Sequence, residues 1–312
     1  MLNSLPFILR KKTNHEIEYY GANYVLEKYL GTKNLLFKTS IRKWLHGWIY
    51  EPMEYPRELV FYGDESEPVL VHTKKQKIFL QNHGYINAFS IGAPFLYTKE
   101  FPQKKIKNSL LIVAPHHKPG STFIDSTLKS YIKKISLIVK KFSFSRVLLY
   151  QDDFNNKEYL QAFERHKLKV IQGASLYDQN SLFRMRNIFG VFETVTSNVL
   201  GSHLVYAAYC NCKISLYGPY NQPKKSMLAK DEFYKRYIFI QQKLLKTHKK
   251  VYFHQYKFLH CHPKNAKKHR KWANLELGKK EKKTIQELKN IFFNSWESSA
   301  MLKLKYLLQK HF

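Results

Sequence analysis

The sequence is short of cysteine, of acidic side chains and of long apolar runs, and each shortage removes a class of protein. Three cysteines, Cys210, Cys212 and Cys261, make no disulfide framework in 312 residues, which points to a reducing compartment. Cys210-Asn-Cys212 lacks the two-residue spacer and the second pair of a zinc site, and reads as buried thiols at a helix end. No stretch is long and apolar enough to span a bilayer. The apolar part of Met1 to Lys12 is too short for a secretory signal. Internal repeats and low-complexity tracts are absent. Asp and Glu number 23 against 53 Lys and Arg, a formal charge of +30. Such a surface seeks anions: nucleic acid, an anionic leaflet or phosphorylated substrates. The lysines are spread over the chain, and no helix-turn-helix, RNP or KH signature is present. Specific nucleic-acid recognition is therefore not expected, although a basic nucleic-acid-binding protein, also suggested by 22 Tyr and 22 Phe, stays open as an alternative.

What is present is a chain able to fold. A hydrophobic content of 44%, with 15% aromatics, excludes global disorder, and the length allows two domains. From Asn108 onward apolar strands alternate with helix-period segments. Strands are expected at 109–114, 146–150, 169–171, 194–196 and 214–217, and helices at 125–141, 156–166, 180–188 and 201–209. That order implies a parallel sheet covered on both faces. Ligands of such sheets sit at the carboxyl ends of the strands, so the loops at 115–122, 151–155, 172–180, 196–203 and 218–224 face one cleft. In the first third, strands are expected at 35–37, 58–62, 69–72 and 87–91. A helix from Lys74 to His83 stops at Gly84, and a basic stretch, 99–107, reads as a linker.

Two loops invite a phosphate. Thr196, Ser197, Asn198, Gly201 and Ser202 fall where the chain turns into a helix, whose first N–H groups and positive dipole end suit an anion. An ordinary N-cap would use the same residue types. The strand that follows ends at Gly218-Pro219. His116, His117, Lys118, Gly120, Ser121 and Thr122 follow the first strand of the expected second domain. They do not match G-x-x-x-x-G-K-[ST], so ATP chemistry is not expected there. His260, His262 and His269 lack a credible metal partner set, and no metal site is expected.

Several segments together carry a resemblance. Ile91-Gly-Ala-Pro94 before a linker resembles the end of the first domain of GT-B glycosyltransferases. Thr196 to His203, Tyr206-Ala-Ala-Tyr209 and Ser215-Leu-Tyr-Gly-Pro219 resemble their donor-nucleotide end. Trp44-Leu-His-Gly-Trp48 and Cys261-His-Pro-Lys-Asn-Ala-Lys-Lys-His269 resemble boxes in GT-B-like proteins of bacterial O-antigen and capsule clusters. The first box is also similar to the tryptophan-histidine-glycine element of teichoic-acid polymerases.

The resemblance implies an α/β fold of GT-B-like type, two Rossmann-like domains facing a central cleft. Residues 1–105 would form the acceptor side, 106–280 the donor side and 281–312 a basic amphipathic helix. The activity implied is transfer of a sugar from a nucleotide-activated donor to a lipid-linked or oligosaccharide acceptor in surface-polysaccharide assembly. It would need no metal and no cofactor beyond the nucleotide-sugar co-substrate. His46 would serve as base, with Asp64 and the Asp152-Asp153 pair as rivals; that pair lacks the D-x-D spacing of metal-bound nucleotide-sugar enzymes. Trp44, Gly47 and Trp48 would hold the acceptor. His116, His117, Ser121, Thr122, Thr196, Ser197, Asn198, Gly201, Ser202, Gly218 and Pro219 would hold the donor, with Glu193 on its ribose. A catalytically inactive scaffold of the same fold is the other alternative.

The tail repeats Ile291, Phe292, Trp296, Met301, Leu302, Leu304, Leu307 and Leu308 at spacings near three and four, with lysines between. Such a helix either crosses back onto the first domain or lies on an anionic leaflet. The second is the expectation, with the protein cytoplasmic and peripheral at the inner face of the cell membrane.

Overall fold

The computed structural model describes residues 19–31, 44–61, 65–99, 104–115 and 125–292, with Asp152 described through its backbone alone. The fold is α/β. A small parallel pair, β1 (Val69–Val71) and β2 (Ala88–Ser90), is joined through the Lys74–Gln81 helix. Thr73 and Gln76 close a reciprocal cap at the start of that helix, which fixes where it begins. A six-stranded sheet follows, built from β3 (Ile106–Val113), β4 (Phe144–Leu149), β5 (Val170–Gln172), β6 (Phe192–Ser197), β7 (Lys213–Leu216) and β8 (Lys267–Lys268). Its spatial order is β5-β4-β3-β6-β7-β8, parallel throughout except for β8. The chain leaves β3 in one direction, through β4 to β5, then returns to β6 on the other side. That reversal makes a topological switch point between β3 and β6.

The run Leu110 to Ala114 is unbroken because β3 is buried on both faces. Leu110, Ile112 and Ala114 meet Tyr131, Ile132 and Ile135 of the Ser126–Val139 helix, with Tyr159 and Phe163 of the Lys157–Glu164 helix. Leu111 and Val113 point the other way, into a cluster with Ile188 and Phe189 of the Ser181–Val191 helix and Leu204 and Val205 of the Ser202–Tyr209 helix. The second cluster does not stop at the sheet. It runs on through Trp44, Leu70, Ile91 and Phe95 of the first third. Val69 and Val71 face the opposite way, into a smaller cluster with Leu45, Leu59 and Leu80.

Two expectations change. In place of the strand expected at 58–62 there is a 3-10 turn, Pro56–Glu58, with 59–61 outside any strand, and Tyr62 lies outside the described residues. Pro56 fixes its first φ, and the Glu58 carboxylate turns back to accept the N–H groups of Glu54 at 2.7 Å and Tyr55 at 2.9 Å. The stretch 151–155, expected as a loop, is a short helix. The strand expected at 35–37 lies outside the described residues.

Residues 225–278 lie outside the elements expected from the sequence pattern. There the Ile238–Lys250 helix runs into a π turn, Val251–Gln255, then 3-10 turns and the Arg270–Glu276 helix. This strap crosses back to the first third, where the Ala93 N–H donates to the Leu277 carbonyl at 2.9 Å. A helix at 285–292 buries Leu288 and Phe292 in the shared cluster. Ile291 and Phe292 of the expected tail stripe thus belong to the fold, whereas Trp296 onward lies outside the described residues. No helix among the described residues is long and apolar enough to cross a membrane.

Candidate active site

The switch point is stitched by the hydroxyl-rich turn itself. Ser197, fully buried, donates from Oγ to the Val113 carbonyl at 2.8 Å, joining the carboxyl ends of β6 and β3. The Thr196 hydroxyl pairs with Ser215 Oγ at 2.8 Å, which ties β6 to β7. Asn198 Nδ2 donates to the Pro219 carbonyl at 3.0 Å, and Tyr252 OH donates to the Asn198 carbonyl at 3.1 Å. Gly218, at φ +135°, lies so close that a Cβ there would meet Tyr131 at 2.7 Å and Asn198 at 2.9 Å. No larger residue fits without displacing one of them. Thr196, Ser197, Asn198, Gly218 and Pro219 therefore come together as expected, but their side chains form a floor inside the protein. Two polar atoms in this floor, Asn198 Oδ1 and Tyr131 OH, are buried without a partner.

The Trp44–Trp48 box lies across the start of the Ser202–Tyr209 helix. Ser202 Oγ accepts the Trp48 backbone N–H at 2.8 Å, and Gly47, at φ +79°, leaves only 3.0 Å between a hypothetical Cβ and that hydroxyl. Gly201 precedes the helix in extended backbone and offers no side-chain cap. The two tryptophans anchor the box from either side. Trp44, 5% exposed, donates from Nε1 to the Gly92 carbonyl at 3.0 Å, and Leu45 pairs with Leu70 beside β1. Trp48, also 5% exposed, donates from Nε1 to Glu276 Oε2 at 2.7 Å. Burial raises the Glu276 carboxyl pKa despite that bond. The tryptophans are thus walls of the box rather than open stacking surfaces.

His46 stands between these anchors, half-buried, and is ringed by Tyr19 at 4.6 Å, Phe61 at 5.3 Å and Tyr20 at 6.0 Å between ring centroids. The Tyr20 N–H donates to the Leu176 carbonyl in the loop after β5, at 2.8 Å. Its Tyr20 neighbour is thereby tied to the carboxyl-terminal loop of the edge strand β5, while Gly47 beside it abuts Ser202, after the end of β6.

Other expected residues lie elsewhere. Glu193 is the second residue of β6, at the opposite edge from Asn198, about 16 Å away along the strand at 3.3 Å per residue. Its carboxylate accepts the Asn108 N–H at 2.7 Å and pairs with Lys213 at 2.9 Å, and the Lys213 bond holds its pKa down. It stands at the amino end of β6, away from the switch point. Asp153 is buried, 1% exposed. Asp64, His116, His117, Ser121 and Thr122 lie outside the described residues. The late histidines are dispersed in their bonding: His260 Nε2 bonds the Tyr252 carbonyl at 2.8 Å, His262 Nδ1 accepts the Lys264 N–H at 3.2 Å, and His269 packs on Phe258. Tyr20, Tyr252 and Glu276 were not anticipated. Each reaches the site through a chain crossing that no local pattern announces.

No family model matches this chain, and no curated protein matches it. Among solved structures it is similar to a crystal structure of TarM, at 14% identity over 72% of this chain and 43% of that one, with a TM-score of 0.29. It is also similar to an S. aureus TarM point mutant in complex with fondaparinux, alpha-GlcNAc-glycerol and UDP. That match has 15% identity over 74% of this chain and 43% of the other, again at a TM-score of 0.29. The chain thus spans less than half the length of these structures, and a superposition at this level transfers no residue from one protein to the other.

Proposed function

We propose that this protein is a glycosyltransferase, moving a sugar from a nucleotide-activated donor to a glycan or lipid-linked acceptor in bacterial surface-polysaccharide assembly. One observation carries this reading. The Trp44–Trp48 box and the Ser202–Tyr209 helix, 154 residues apart, are locked by the Trp48–Ser202 bond, which supports a half-buried histidine near the carboxyl end of β6, the kind of place where α/β sheets bind ligands. In this reading residues 106–280 hold the donor, with its diphosphate near the start of the Ser202–Tyr209 helix. Residues 1–105 present the acceptor in a GT-B-like arrangement, and the lysine-rich surface meets an anionic membrane face. The acceptor hydroxyl oxygen attacks the anomeric carbon, the bond from that carbon to the nucleotide diphosphate breaks, and the hydroxyl proton passes to a neutral His46. No step uses a metal.

The test separates binding from turnover. Thermal-shift screening against UDP-, GDP-, CMP- and dTDP-sugars identifies the donor. His46→Ala is then expected to lower turnover roughly a hundredfold or more, the scale for losing a general base, with donor affinity nearly unchanged. His46→Gln keeps a hydrogen bond but takes no proton at neutral pH. Near wild-type turnover in that variant would hand the base role to Asp64 or the Asp152-Asp153 pair. Absence of stabilisation by every nucleotide sugar would remove the donor site itself. Ser202→Ala removes the acceptor of the Trp48 N–H, so it tests the lock between box and helix and is expected to lower turnover.

A further inference from the structure

A second binding region lies at the other parallel pair, and it shares no residue with the His46 cleft. A cavity of about 390 Å³ opens at the carboxyl end of β2, between the Lys74–Gln81 helix and the returning segment 281–291. That size suits a small molecule. Its lining combines three kinds of chemistry. Lys74, Lys77 and Lys283 line it with three basic side chains. Glu281 and Ser90 bring a polar corner, where Ser90 Oγ donates to Glu281 Oε2 at 3.0 Å and leaves the other carboxylate oxygen for a further donor. Phe89 and Ile291 supply an apolar wall.

Folding does not explain the lysines. Lys74 and Lys77 stand one turn apart at the amino end of their helix, where a like-charge pair is mildly unfavourable and the helix dipole disfavours cations. Neither has an acidic partner among the described residues. Lys283 has only a long contact, 3.6 Å, to Glu287, itself half-exposed. Three lysines therefore line a space whose one lining carboxylate is already hydrogen-bonded.

We infer that this cavity binds a phosphorylated sugar. The phosphate dianion takes the lysine ammonium groups, which suit it as rotatable charged donors. A ring hydroxyl donates to the open Glu281 oxygen, and the C–H face of the ring lies on Phe89 and Ile291. A lone phosphate would satisfy the lysines but leave the polar corner and the apolar wall without a partner. The inference stands whether or not the His46 cleft transfers sugar.

The test is titration calorimetry of the full chain with a hexose monophosphate, using inorganic phosphate and glucose as controls. The hexose monophosphate is expected to bind about tenfold more tightly than phosphate, glucose not to bind measurably, and added salt to weaken binding. Lys74→Gln with Lys77→Gln, both near the surface, is expected to lower hexose-monophosphate affinity about tenfold or more while leaving the melting temperature in place. Glu281→Gln is expected to narrow the preference over inorganic phosphate, and His46→Ala to bind as wild type. Three results would overturn the inference: no binding at millimolar ligand, equal affinity for phosphate and hexose monophosphate, or unchanged binding in the double-lysine variant. Loss of binding in His46→Ala would place the ligand in the cleft instead, and also overturn it.

Discussion

At the scale of single residues, two histidines show how burial sets a pH limit on the fold. His248 is buried among Tyr50, Tyr220 and Tyr252, with Nδ1 2.7 Å from the Tyr220 hydroxyl, and desolvation pushes its pKa down to about 4. His72, wholly buried, bonds the Leu45 carbonyl through Nε2 at 2.8 Å and is likewise pushed down to about 4 by burial. Unfolding returns each to about 6.5. Between those values the unfolded chain holds more protons than the native one, so the stability from these sites is complete above about pH 6.5. It is lost as pH falls toward 4, at a cost of about 3 kcal/mol per histidine. Urea midpoints should therefore drop between about pH 7 and about pH 5. His248→Gln, which keeps an acceptor for Tyr220, should weaken that dependence to about half, leaving His72 to supply the rest. An unchanged wild-type midpoint over that range would show that water reaches both imidazoles.

At the scale of elements, the alternation of strand and helix from 109 to 217 was legible because each apolar run has its period and its stop. The strap from 238 to 278 was not. Its short 3-10 and π turns carry no sustained period, and its aromatic residues serve partners far along the chain: Tyr256 OH donates to the Tyr50 carbonyl at 3.0 Å. The site divides the same way. The meeting of Thr196, Ser197, Asn198, Gly218 and Pro219 followed from strand ends, whereas the Trp48–Ser202 and Trp48–Glu276 bonds needed the three-dimensional crossing. The strap's firmest hold is an ion pair. Lys243 Nζ donates to Glu58 Oε1 at 2.5 Å and also to the Pro52 carbonyl, with both side chains less than a tenth exposed. Lys243→Met strands a buried carboxylate and should cost about 3–5 kcal/mol, whereas adding Glu58→Gln should restore most of it. Chemical denaturation of the two variants decides this. A single variant as stable as wild type would mean that water replaces the ammonium.

At the scale of the whole molecule, one apolar cluster joins residues from Ala22 to Phe292, so the two ends of the described chain support each other. Leu288 and Phe292 are buried in it, the Lys283 N–H donates to Tyr97 OH at 2.9 Å, and Ser90 bonds Glu281. Burying two such side chains is worth about 1.5–3 kcal/mol each, a large part of the roughly 5–15 kcal/mol that holds a domain together. Ending the chain after Gly278 should therefore abolish cooperative unfolding or lower its midpoint sharply. Ending it after Phe292 removes none of the described contacts and should leave the melting temperature within a few degrees of wild type. That second truncation also deletes the stripe Leu302, Leu304, Leu307 and Leu308 with Lys303, Lys305 and Lys310, the pattern expected to meet an anionic leaflet. Sedimentation with anionic vesicles should then show the full chain bound and the chain ending at Phe292 released, although most of its lysines remain. Equal binding by both would move the membrane contact to the folded surface, and unfolding of the chain ending at Phe292 would make the tail a structural helix.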